Sequence, residues 1–163
     1  MDKKIHRIWD DLAEIEVPEN FVQATVGERR KVYGMGTDIP MHMLIDREKR
    51  MFISEVMQEE TESDGRKTVE ELAQLYNHTL KRNVPGYKCM GIYQRKIDER
   101  EACAIQYTYY AQELNRYTLL LIMKEQNQIC LLNCVCSNAQ VPQMHPVFLE
   151  ILESINLKNK YLV

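Results

Sequence analysis

Glycine and proline are scarce in these 163 residues, at six and five, which excludes collagen-like and low-complexity chains. Long apolar runs are missing as well. No stretch approaches the ~18 residues a membrane span requires, and the opening Met1-Asp2-Lys3-Lys4-Ile5-His6-Arg7 leads into no continuous apolar segment. The chain is therefore expected to be neither exported nor membrane-inserted. An excess of one charge is also lacking, with 21 basic against 24 acidic residues and a net −3. The basic clusters Glu28-Arg29-Arg30-Lys31 and Asp46-Arg47-Glu48-Lys49-Arg50 both include acids, so nothing tracks a phosphate backbone and no nucleic-acid partner is expected. The cysteines cannot all pair, because Cys89, Cys103, Cys130, Cys134 and Cys136 are odd in number. All five fall in strand-like apolar stretches, the pattern of reduced thiols in the cytoplasm.

What remains is an ordinary globular balance, 45% hydrophobic and 28% charged. A chain of this size buries roughly two thirds of its unfolded surface, so one domain over 1–163 is expected. Ile5, Ile8, Trp9 and Leu12 follow a helical spacing and predict an N-terminal helix extension over 1–16. Ala13, Ile15 and Val17 alternate as a first strand. Met41 to Ile45 and Met51 to Met57 flank a charged turn and read as a hairpin. Glu59 to Gly65 reads as a solvated loop, with an acidic cation site as the sharper alternative. Thr68 and Glu71 form a capping box ahead of the apolar stripe Val69, Leu72, Ala73, Tyr76 and Leu80, which predicts a helix ending near Asn83-Val84-Pro85-Gly86. Four strands follow, roughly 87–97, 102–111, 117–124 and 129–137. Their links are too short for parallel crossovers, so they predict an antiparallel meander. Thr118 to Met123 is apolar on both faces and belongs inside the sheet. A last helix is expected from Pro146, burying Phe148, Ile151, Leu152 and Ile155.

Motifs for chemistry are few. Cys130, Cys134 and Cys136 share a strand face, but a rise of about 3.3 Å per residue puts the first two roughly 13 Å apart, too far for one ion bound at ~2.3 Å. They read as small buried residues, and no metal or cofactor is expected. His6, His42, His78 and His145 are scattered without an H-E-x-x-H spacing. Gly34-Met35-Gly36 lacks the third glycine and the following helix of a phosphate loop. No G-x-S-x-G or Walker pattern occurs. Methionine does stand out: Met35, Met41, Met43, Met51 and Met57 cluster in the hairpin region. Core filling is the plain reading of that cluster. The alternative is an exposed groove of Met41, Met43, Met51 and Met57 that accepts an amphipathic or apolar segment of another protein.

Val17-Pro18-Glu19-Asn20-Phe21, the capped helix Thr68-Val69-Glu70-Glu71-Leu72-Ala73, the strand Glu101-Ala102-Cys103-Ala104-Ile105-Gln106-Tyr107-Thr108-Tyr109 and the closing helix Phe148-Leu149-Glu150-Ile151-Leu152-Glu153-Ser154-Ile155 occur in an order that resembles the PsbP-like superfamily. That superfamily includes photosystem subunits, a Ran-binding nuclear protein, DcrB-like proteins and the Eag-type chaperones of secretion effectors. The resemblance covers roughly 17–157. It implies an α+β fold, an αβα sandwich with an antiparallel meander sheet flanked by helices, and binding in place of catalysis. Arg100-Glu101 stands where a glycine turn is common, the segment around Trp9 is extra, and no DcrB-type export signal is present. No family site transfers residue by residue. The expectation is a non-enzymatic cytoplasmic protein-binding module, an adaptor or chaperone for a secreted or assembled partner, with homo-oligomerisation left open. The alternative is a small-molecule binder or enzyme with a pocket between sheet and helix.

Overall fold

The computed structural model describes residues 2–33, 42–111 and 113–158. Gly34-Met35-Gly36 and Met41 lie outside them. The short polar links of the C-terminal half fold as their length demands. Strands β6 (Lys88–Ile97), β7 (Arg100–Ala111), β8 (Leu114–Glu125) and β9 (Gln128–Ser137) form an antiparallel meander, numbered here after the five strands that precede them. Two of its turns, Asp98-Glu99 and Gln126-Asn127, have positive φ at both residues, the mirror-image turn whose twist suits a hairpin. The first supplies without glycine the reversal that precedes Arg100-Glu101. The doubly apolar β8 lies inside the sheet, between β7 and β9.

The meander is extended on its β9 side by β5 (Met51–Glu59), β4 (His42–Asp46) and β3 (Val22–Gln23), giving the seven-stranded order β3-β4-β5-β9-β8-β7-β6. One face carries α1 (Val26–Tyr33) and α3 (Val69–Asn83). Both begin with reciprocal caps, Thr25 with Glu28 and Thr68 with Glu71, each pair exchanging two side-chain-to-backbone bonds. The other face carries α4 (Val141–Glu153) and a small sheet of β1 (Lys3–Ile8), β2 (Ala13–Pro18) and β10 (Asn156–Leu157). Helices thus flank an antiparallel sheet, the α+β sandwich expected. Two boundaries differ. Glu62–Gly65, placed in the loop, is a short helix α2 capped by Thr61. The last helix starts at Val141, not Pro146, with Pro142 in its first turn. Pro146 removes only the bond to the carbonyl of exposed Pro142, which water can satisfy.

The N-terminal helix is a correction. β1 and β2 form a hairpin in register from Lys3↔Pro18 to Ile8↔Ala13, reversing at Trp9, Asp10 and Asp11, all with positive φ. A tight reversal buries Ile8, Trp9 and Leu12 together as a helical stripe would, while Ile5, the fourth member, stays exposed. Trp9 enters the core, where its Nε1–H donates to the Leu131 carbonyl at 3.0 Å and its backbone N–H to Glu55 Oε2 at 2.5 Å.

Burial pushes the Glu55 carboxyl up, offset by the Trp9 N–H and His42, with Asp10 adding to the rise. The folded chain therefore holds this proton longer than the unfolded chain. Stability falls as pH rises from the ordinary glutamate value of ~4.3 through the raised folded one. Glu55→Gln keeps an acceptor for Trp9 and removes that decline. In urea titrations from pH 4 to 8, the stability of Glu55→Gln relative to the parent is expected to increase with pH. A flat difference would contradict a buried, ionising Glu55.

Candidate functional site

Of the four candidate methionines, the three among the described residues, Met43, Met51 and Met57, do not assemble into one surface. Met43, 1% exposed, packs with Phe52 and Val135 on the α1 side of the sheet. Met51, equally buried, faces the opposite core, and half-buried Met57 packs against that same core. Register separates them, because Met43 lies opposite Ser54 and Met51 opposite Asp46, which puts the two side chains on opposite faces. Met43 and Met51 are thus core residues, and the exposed methionine groove is corrected at those positions.

The histidines are less scattered than their spacing suggests. His6 and His42 meet Glu55 around a cavity of about 20 Å³, room for one water. Burial, then Lys4, depress His6. On α4, His145 Nδ1 accepts from the Tyr117 hydroxyl at 2.9 Å, and Gln106 Nε2 donates to that hydroxyl at 2.6 Å. This bridge ties α4 to the sheet, and burial pushes Tyr117 up to about 12. His78 is exposed on α3. Among the described residues no three His, Cys, Asp or Glu side chains converge as metal ligands. A hollow of about 580 Å³ beside Asp2, Glu19 and Arg47 has Val22 as the one apolar residue among its described lining residues.

The feature suited to binding lies on the α1/α3 face. α3 packs over β6, β7 and β8, and α1 over the Met43, Phe52 and Val135 cluster, leaving a cleft of about 320 Å³ over the strands between them. Its floor follows from register. Phe52 of β5 lies opposite Val135, Val135 opposite Thr118, and Thr118 opposite Tyr107, so one transverse row crosses four strands. Leu120 and Asn133 pair in the adjacent row, and Arg116 pairs with Tyr109 on the other side. Tyr76 and Leu80 of α3 form one wall, and Val32 and Tyr33 of α1 the other.

Several contacts hold these walls. Arg47 donates to Glu28 at 2.7 and 2.8 Å, fixing α1 to the β4–β5 turn and holding the Glu28 carboxyl at about 2, chiefly through that bond. Gln58 donates to the Tyr76 hydroxyl at 2.7 Å. Tyr33 leaves 37% of its surface exposed, while its hydroxyl reaches inward to Ser54. Tyr107 stacks at a tilt between Tyr87 and Tyr109, with ring centroids 5.0 and 5.6 Å away. Burial raises Tyr33, Tyr107 and Tyr109, so these phenols stay protonated at neutral pH. Burial also pulls Arg116 downward, and its guanidinium lies over the Phe52 ring at 5.8 Å. Among the described lining residues there is no His, Cys, Asp or Glu, and what those residues offer is packing and hydrogen bonds.

No protein-family model matches the chain, and no curated protein matches it by sequence. Solved structures do. The chain is similar to the cyanobacterial PsbP (CyanoP) of Synechocystis sp. PCC 6803, with a TM-score of 0.69 at 11% identity over 96% of this chain and 92% of that one. LpqN of Mycobacterium tuberculosis, involved in cell envelope biogenesis, matches with 0.62 at 13% identity over 96% and 91%. The Ran-binding protein Mog1p of Saccharomyces cerevisiae matches with 0.62 at 7% identity over 96% of both chains. At such identities the likeness is one of fold.

Proposed function

We propose, from the PsbP-like fold that this chain shares with those three proteins, that it is a non-enzymatic protein-binding module. Its docking site is the cleft between α1 and α3, which takes an apolar segment of a partner protein. The observation that carries this reading is an aromatic-lined gap over the middle of the sheet, where burial gains most and the chain's own helices leave room. Half-exposed Tyr33 at the wall supplies the amphipathic surface that recurs at interfaces. An adaptor or chaperone role follows if the bound segment belongs to a protein awaiting assembly. The five free thiols, four of them buried, fit the reducing cytoplasm, which is the compartment we assign. No helix among the described residues is long and apolar enough to cross a membrane. A small-molecule site is the second reading, favoured by a volume at the low end of the ~300–1,000 Å³ typical of ligand pockets.

The test is a selection of displayed random octapeptides against the full chain. Aromatic and aliphatic residues are expected to be enriched. Leu80→Asp, which puts a charge on the α3 wall, is expected to weaken the selected peptides at least tenfold, since a buried unpaired charge costs several kcal/mol. Circular dichroism would confirm that the variant stays folded. Failure to enrich apolar residues, or equal binding by folded Leu80→Asp, would remove the cleft as the docking site.

A further inference from the structure

The cleft has a charged end. Arg116 lies in its floor at 3% exposure, and Arg50 stands close enough to oppose the Arg116 charge. The Arg50 carbonyl accepts from Arg116 Nη1 at 3.4 Å, so the two residues sit side by side at the β4–β5 turn. Two residues inward on the same face is Thr118, 1% exposed. Its hydroxyl lies near those of Tyr107 and Tyr109 without reaching hydrogen-bond geometry with any partner. Among the described residues, the rest of the lining is apolar or aromatic apart from Asn133 and the tyrosine hydroxyls. Positive charge at one end, with a buried unfilled donor beside it, suits an anion attached to an apolar body.

We infer that the segment received by the cleft carries a carboxylate next to its apolar anchor, and that Arg116 and Thr118 read that carboxylate. This rests on the protein-docking reading above and names the partner chemistry: an aromatic or aliphatic residue followed or preceded by Asp or Glu. The apolar side chain fills the space between Tyr76, Leu80 and Tyr109. The acid reaches the arginine end, where a planar guanidinium suits a carboxylate better than an ammonium does. Two guanidinium groups disfavour a basic or neutral polar neighbour at that position, so specificity comes from charge and affinity from packing.

The octapeptide selection also tests this. Asp or Glu is expected to be enriched next to the apolar anchor. A synthetic Glu peptide should then bind roughly tenfold tighter than its Gln counterpart, the scale of one charge-assisted hydrogen bond. Arg116→Gln should bring that ratio close to one while leaving the Gln peptide's affinity within about twofold, and Arg116→Lys should restore part of it. If Arg116→Gln does not fold, Thr118→Val carries the test. It removes a hydroxyl that has no bond to lose, and should weaken the Glu peptide about threefold and the Gln peptide not at all. Apolar enrichment without acids overturns this inference and leaves the docking reading standing, whereas no enrichment overturns both. Decanoate shifting the amide resonances of Thr118 and Asn133, with no peptide enriched, would make the occupant a free acid and overturn the inference. Self-association abolished by Leu80→Asp, again without peptide enrichment, would make the occupant a second copy and do the same.

Discussion

Trp9→Ala is expected to destabilise the chain by about 3–5 kcal/mol, the usual loss when a large core aromatic becomes a cavity. Trp9 is 1% exposed and sits among residues of β5, β9 and α4, although it belongs to a surface hairpin. Its removal leaves the Leu131 carbonyl without the indole donor and loosens the turn whose N–H meets Glu55. Trp9→Phe separates these contributions, keeping most of the volume and losing only the indole bond, and should cost about 1–2 kcal/mol. Urea midpoints read by far-ultraviolet circular dichroism would measure both. A Trp9→Ala chain within about 1 kcal/mol of the parent would mean that the hairpin is not keyed into the core.

Thiol labelling should split the five cysteines one against four. Cys103, Cys130, Cys134 and Cys136 are buried in the sheet, whereas Cys89 lies half-buried on the edge strand β6. Burial drives all four buried thiols upward, Cys130 and Cys136 to about 12, with neighbouring carboxylates adding to the rise at Cys103 and Cys130. At pH 8 a thiol near 12 has roughly 10³-fold less thiolate than an ordinary one near 8.5. A chromogenic disulfide reagent should therefore find one fast thiol in the native chain and the remaining four after denaturation. Three or more fast thiols would show that the α4 face of the sheet opens readily.

How far these features were legible depends on how local their causes are. The β6–β9 meander could be read because each link is a few polar residues long and each neighbour is the next strand. The α3 start could be read because Thr68 and Glu71 carry their bonding partners within one helical turn. The Trp9 segment misled because Ile8, Trp9 and Leu12 converge in a tight turn as they would on a helix, and only the positive φ values of Trp9, Asp10 and Asp11 distinguish the two. Met43 and Met51 misled for another reason. Their number says nothing about which face of a strand each occupies, and pairing with Ser54 and Asp46 decides that. The cleft was illegible because its floor joins Phe52 to Tyr107 through Val135 and Thr118, a row that exists only once four strands take their register. A polar Arg116 and Thr118 flanking Tyr117, just ahead of the apolar run Leu119 to Met123, were its one trace in the sequence.

The strand order has a consequence for how the chain is made. Each strand of the meander finds its neighbour within a few residues of leaving the ribosome. β5 must wait for β9, since Glu59 pairs with Gln128, and β2 waits longer still for Asn156 and Leu157. At the ~5–20 residues per second of synthesis, the stretch of about 70 residues between β5 and its partner takes roughly 4 to 14 s. Throughout that interval Phe52, Ile53 and Val56 stand on a strand with one open edge, prone to pairing with other nascent chains. The β3–β5 segment is thus the part most exposed to misassembly during synthesis, and Glu55 and Ser54, the polar residues on its inward faces, keep that waiting strand from being uniformly apolar.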